Sequence, residues 1–215
     1  VPFMNMVVVL IPMLLLSVVF LKIGVINITA PNLGPVKQPK QKEKDKDKKE
    51  KLDLTVTVGE NGFYIAARNA KEPPIQGCPD NGPTICLQNE KNVGDLADQA
   101  RRQFGNGNED AGQKTLRELE DAYNWMGLYN KLMEIKKMIE KSQDIKDTNV
   151  INITADPGIP YDLLIRTMDI ARYKLAEDTY NSRDSFWQAS LREAETDESE
   201  YALLFSQPVL SVAKN

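Results

Sequence analysis

The chain has 215 residues, a formal net charge of −4 and no histidine. That length suits one domain of about 150 residues with extra segments, and the mild negative charge gives no reason to expect a nucleic-acid partner. Without histidine there is no imidazole acid or base, no Ser-His or Cys-His nucleophile pair, and little prospect of a zinc site.

The first element is an apolar run. Between Phe3 and Ile26 the polar exceptions are Asn5, Ser17 and Lys22. About 20 residues at roughly 1.5 Å rise cross the hydrocarbon core, so residues 1–26 are expected to form one transmembrane helix. A cleaved signal peptide would have a shorter apolar centre and a small-x-small cleavage site. Pro12 lacks an N–H and is expected to kink this helix. The chain as read opens on Val1, which leaves room for a short preceding segment.

Residues 27–51 read as a Pro- and Lys-rich tether, solvated and extended. Its part "KQPKQKEKDKDKKEK" holds eight lysines against four acids, and basic flanks usually stay cytoplasmic. Against that stands "GCPDNGPTIC". Cys78 and Cys86 bracket turn residues, which predicts a local disulfide and hence an oxidising compartment. The lysines lie well beyond the span with acids interleaved, so the cysteine pair decides the orientation expected here. Two thiols without histidine are too few for a metal site.

Residues 52–215 are expected to fold. Leu52, Leu54, Val56 and Val58 alternate with polar residues, which predicts a half-buried strand. "GENG" is its turn, "FYIAA" the returning arm, and "TICL" a short third strand. A helical insertion follows at about 92–147. It comprises "NVGDLADQARRQF", a break at "GNGNEDAGQ", and a single long helix "KTLRELEDAYNWMGLYNKLMEIKKMIEKSQD". Leu116, Leu119, Tyr123 and Met126 make one stripe on it; Trp125, Leu128, Leu132, Ile135 and Ile139 make another, with Met138 beside its end. Such a wide apolar face suits domain packing more than a free coiled coil.

The last third reads strand, helix, strand. "NVINITAD" is β-branched and ends in turn residues. "IPYDLLIRTMDIARYKLAEDTYN" opens with Pro160, suited to a helix start, and Tyr161, Leu164, Ile165, Met168, Ala171 and Leu175 share one helical face. "SFWQASLREAETDESE" is weakly patterned, and "YALLFSQPVLSV" gives one or two strands interrupted at Pro208. The fold class expected is α+β, with a sheet and helices on one face. The hexamer "VINITA" occurs at Val25–Ala30 and Val150–Ala155 with different flanks, so no internal repeat is inferred.

The pieces "VPFMNMVVVL", "LTVTVGENGFYI", "VINITADPGIPYDLLIRTMDIAR" and "LLFSQPVLSV" together resemble the ExbD/TolR family of bacterial inner-membrane energy transducers. The most specific is "ITADPGIPYDLLIRTMDIAR", where strand, turn, proline-tyrosine and helix come in the family's order. The resemblance implies a single-pass inner-membrane subunit with a periplasmic domain and no enzymatic role. It further implies a second ExbD/TolR-like chain, identical or paralogous, ExbB/TolQ-like multi-span ring subunits, surrounding lipid, and an envelope or peptidoglycan partner. No cofactor and no metal are implied. Tyr161, Asp162 and Arg166 are the candidate surface toward a domain or partner.

Family members carry an aspartate near the start of the span, and Pro2-Phe3-Met4 places that position at Asn5. A carboxylate there takes up a proton in lipid and releases it where water reaches. An amide has the shape of the protonated acid but cannot lose the proton. Three readings of Asn5 stand side by side: a natural non-conducting subunit paired with an acid-bearing relative, an engineered substitution, and a helix-packing amide. A non-conducting adaptor or cell-wall-binding anchor is therefore the alternative function. Asp156, Asp162 and Asp169 read as turn, helix-start and exposed-face residues rather than a catalytic pair.

Overall fold

The structure is a computed structural model that describes residues 50–67, 70–89, 91–142, 145–194 and 200–211. The expected span and almost all of the tether lie outside these residues. Among the described residues no helix is long and apolar enough to cross a membrane.

The strands are β1 Glu50–Lys51, β2 Thr55–Gly59, β3 Gly62–Ala67, β4 Ala70–Lys71, β5 Ile85–Cys86, β6 Ile145–Lys146, β7 Val150–Ala155 and β8 Gln207–Leu210. The main sheet is mixed, in the order β4-β3-β2-β7-β8 with β5 added on β3. β2 and β3 form an antiparallel hairpin, while β7 runs parallel to both β2 and β8. Val56 lies opposite both Ile65 and Ile153, and Val58 opposite Phe63. All five are completely buried, whereas Thr55, Thr57, Tyr64 and Asn152 on the other face stay half-buried. Alternating apolar and polar residues thus turn one face to the core. Gly62 closes the hairpin at φ 132°, and a Cβ there would stand 2.1 Å from the Ile85 carbonyl oxygen. Only glycine fits that position.

The strand expected from Leu52 begins later. Asp53 takes a left-handed φ of 46°, which ends the extended run. Glu50–Lys51 instead pairs in parallel with β6. Leu52 and Leu54 still enter the core, at 3% and 1% exposure. Pro208 does not interrupt the final strand as expected; it lies inside β8, opposite Ile151. β8 is an edge strand whose N–H groups at Gln207 and Ser211 donate to Asn149 and Ile153. The intervening proline nitrogen faces away from the sheet, so no ladder bond is lost.

The helices are α1 Val93–Gly105, α2 Glu109–Glu120, α3 Trp125–Lys141, α4 Tyr161–Arg172 and α5 Arg183–Trp187. Asn92, Asn108 and Asn124 cap the first three, each accepting from a backbone N–H three residues on. The last of these caps breaks the long helix expected over 114–144 into α2 and α3. The break sets Tyr123 and Trp125 together against Phe63, with ring centroids 5.2 Å from Phe63 in both cases. The Tyr123 hydroxyl donates to the Gly59 carbonyl at 2.9 Å. Trp125, Leu128, Leu132, Ile135 and Ile139 are buried.

Helix α4 packs on β7, β8 and α3. It stops at Arg172, with Tyr173 extended, nine residues short of the stretch expected from the sequence. Its buried positions are Leu163, Thr167 and Ala171, so the inward face is rotated from the expected one and Tyr161 is left 60% exposed. A threonine serves inside because its hydroxyl donates to the Leu163 carbonyl at 2.7 Å. Beyond α4, three short segments meet in a ring of backbone bonds: Lys174 N–H to Ala202, Ala202 N–H to Arg192, and Arg192 N–H to Lys174, all 2.8–2.9 Å. This ring ties the segment after α4 to those around Arg192 and Ala202.

Candidate functional site

Asn5 and Pro12 lie outside the described residues. Cys78 and Cys86 are joined in a disulfide. Cys86 sits in β5 opposite Gly62, and its N–H donates to the Cys78 sulfur at 2.9 Å. The bond pins the turn-rich loop to the edge of the β2–β3 hairpin.

Tyr161, Asp162 and Arg166 all lie on α4. The helix starts at Pro160 without a side-chain cap, and Asp162 occupies its first turn, where a carboxylate is favoured by the helix dipole. Tyr161 and Asp162 are exposed. Arg166 is half-buried and lies over the Trp187 ring, its guanidinium carbon 4.7 Å from the centroid. Its Nε is covered and has no hydrogen-bond partner. The trio is thus split between an open patch at the helix start and a cation–π stack one turn further on.

That stack forms one wall of a cleft of about 450 Å³ between α4 and residues 186–191, a volume within the range of small-molecule sites. Tyr129 and Phe186 make the floor and are buried, Ile170 and Leu175 are half-buried, and Trp187 and Leu191 stand exposed at the rim. Tyr129 is fixed by its hydroxyl, which donates to the Glu177 carbonyl and accepts from the Leu175 N–H. Asp169 also opens onto the cleft. Loss of water against these walls pushes its carboxyl above the usual range, opposed by Arg166 and Arg172. Burial likewise raises Glu120, with Arg166 the main opposing charge.

Sequence reasoning named Arg166 but missed its setting. Trp187 and Phe186 were the available signal, two adjacent aromatics in an otherwise polar stretch. Asp169 read as an exposed-face residue, and it is exposed, yet it shares the cleft with Arg166. Asp156 sits elsewhere, just beyond β7 near Gly59 and Tyr64. Among the described residues no cluster of three or more His, Cys, Asp or Glu side chains has the arrangement of a metal site.

The family model of the biopolymer transport protein ExbD/TolR matches residues 1–177, and the chain belongs to that family. The tether, the cysteine loop and α1–α3 all fall between those limits, whereas the closing "LLFSQPVLSV" and the 186–191 wall of the cleft lie past them. No curated protein matches the chain, and no solved structure does.

Proposed function

We infer that this chain is the single-span subunit of a motor driven by the proton-motive force. Residues 1–26 are its membrane helix, 27–51 its tether and 52–215 its periplasmic domain. It pairs with a second ExbD/TolR-like chain inside a ring of ExbB/TolQ-like subunits. Relative motion of ring and span travels through the tether to an envelope or cell-wall partner, met by the surface around Tyr161, Asp162 and Arg166. The observation that carries this reading is the family match, which runs from the apolar start through β1–β7 and α4 to residue 177.

The energetics fit such work. One elementary charge crossing about 100 mV releases about 2.3 kcal/mol. A titrating acid in the span couples that charge to rotation. Asn5 does not titrate; an amide there can hydrogen-bond to a neighbouring helix, and interhelical bonds of that kind average about 0.6 kcal/mol.

Asn5 also favours a second reading, a non-conducting adaptor or cell-wall anchor paired with an acid-bearing subunit. Purification of the native complex, with subunits counted and sequenced, separates the two. Recovery inside a multi-span ring supports the motor subunit; an aspartate-bearing relative paired with this chain supports the adaptor; recovery without any multi-span partner refutes both. Because α3 is buried in the core, substitution of the exposed α2 residues Lys114 and Arg117 adds a second discriminator: lost partner recruitment with intact ion flow favours the adaptor.

A further inference from the structure

The cleft beside α4 carries two opposite charges, one of them on Arg166 at the edge of the proposed partner surface. Arg166 and Asp169 lie three residues apart on one helix, both open onto the same cavity, and no ion pair within 4 Å joins them. The guanidinium is stacked on Trp187 with its Nε covered and unpartnered. A buried donor without an acceptor is costly, and a charged one more so. Asp169 faces apolar walls that raise its proton affinity. Among the described residues, each group therefore lacks a counterpart of opposite sign at contact distance.

The surrounding charges narrow what completes the site. A plain anion reaching Arg166 meets Asp169 at the rim and Glu120 behind, since Arg166 is the main charge opposing the rise at Glu120. A plain cation reaching Asp169 meets Arg166 and Arg172. A molecule bearing both signs a few ångströms apart satisfies both, because side chains three apart on a helix stand about 5–6 Å apart at their Cβ atoms. The remaining walls, Ile170, Leu175 and Leu191 over the Tyr129–Phe186 floor, are apolar. Trp187 and Leu191 are 40% and 39% exposed, and large apolar side chains gathered open around a cavity mark a binding site.

We propose that this cleft binds a small zwitterion with an apolar side chain, of the α-amino acid type. Its carboxylate meets the Arg166 guanidinium, its ammonium meets the Asp169 carboxylate, and its hydrocarbon side chain lies against Ile170, Leu175 and Leu191. Bidentate pairing suits guanidinium and carboxylate geometry. The wall formed by residues 186–191 lies past the matched family segment, whereas Tyr129, Arg166, Asp169, Ile170 and Leu175 lie within it.

Trp187 is a built-in reporter, since the chain's other tryptophan, Trp125, is 1% exposed in the core. The intact chain in detergent is titrated with leucine, leucinamide, N-acetylleucine and glycine. Trp187 emission and calorimetry are read together, with Trp187→Phe as the optical control. Leucine is expected to give a saturable shift. Leucinamide, N-acetylleucine and glycine each lack one of the three anchors and bind at least about tenfold more weakly. Arg166→Gln erases the preference for leucine over leucinamide, and Asp169→Asn erases the preference over N-acetylleucine; circular dichroism confirms that both variants are folded. No saturable binding of leucine, equal binding of the blocked analogues, or discrimination that survives both substitutions overturns the proposal.

Discussion

Replacing both half-cystines, Cys78→Ala with Cys86→Ala, removes a covalent closure of the loop that carries β5. The bond spans a sequence separation of 8, for which the chain-entropy relation gives about 2.5 kcal/mol at 25 °C. Most of that acts by restricting the unfolded chain, so the loss is expected even if position 86 keeps its register opposite Gly62 in the sheet. For a chain of this size each kcal/mol moves the melting midpoint by roughly 2–4 °C, so the double variant melts about 5–10 °C lower. The assay is thermal melting followed by near-ultraviolet circular dichroism, which reads Trp125 packed against Phe63. A thiol reductant should lower the wild-type midpoint by a similar amount and leave the double variant unmoved. A shift below about 1 °C in both comparisons would refute the reasoning. It would show that the loop contributes nothing to the cooperative unit.

Asn124→Ala removes the cap whose side chain accepts from the Gly127 N–H at 2.8 Å, and is expected to cost about 1 kcal/mol in chemical denaturation. Gly62→Ala forces a left-handed residue against the Ile85 carbonyl, at 2.1 Å from the new Cβ; a loss of roughly 3 kcal/mol or more is expected by the same assay. The Arg192 hydrogen bond, followed by that from Lys137, holds the Asp178 carboxyl below its usual 3.8. A depressed carboxyl contributes stability above its unfolded value and loses it as pH falls through the folded one. Asp178→Asn should therefore lower the urea midpoint at about pH 5 and differ less from wild type at about pH 3. An identical difference at both would remove Asp178 from the acid response.

The β2–β3 hairpin, β5, β7 and the starts of α1 and α4 were legible because each carries its own local signal: alternation, a turn tetrad, a cap or a proline. The break before Asn124 was not, since apolar spacing continues through it. Tyr123 and Trp125 face one aromatic cluster from opposite sides of the cap. Asp53 was hidden inside a faultless alternation, because its left-handed turn leaves Leu52 and Leu54 pointing into the same core. Among the described residues, the segments between α4 and β8 pair only by single bridges, Leu175 with Leu191, Tyr173 with Leu203 and Glu193 with Tyr201. A single bridge imposes no period for a pattern to reveal. Of the cleft, Arg166 was named from the resemblance, but its partner Trp187 reaches it only through the tertiary fold.

The proposed function rests on the reading that a membrane subunit of this family carries an amide, Asn5, at its proton-handling position. Proton flux into liposomes containing the complex with its multi-span partner tests this directly. With Asn5 the only residue at that position in the paired spans, no flux above that of empty liposomes is predicted, and Asn5→Asp should open it. Flux from the Asn5 complex equal to that of the aspartate variant would contradict the account.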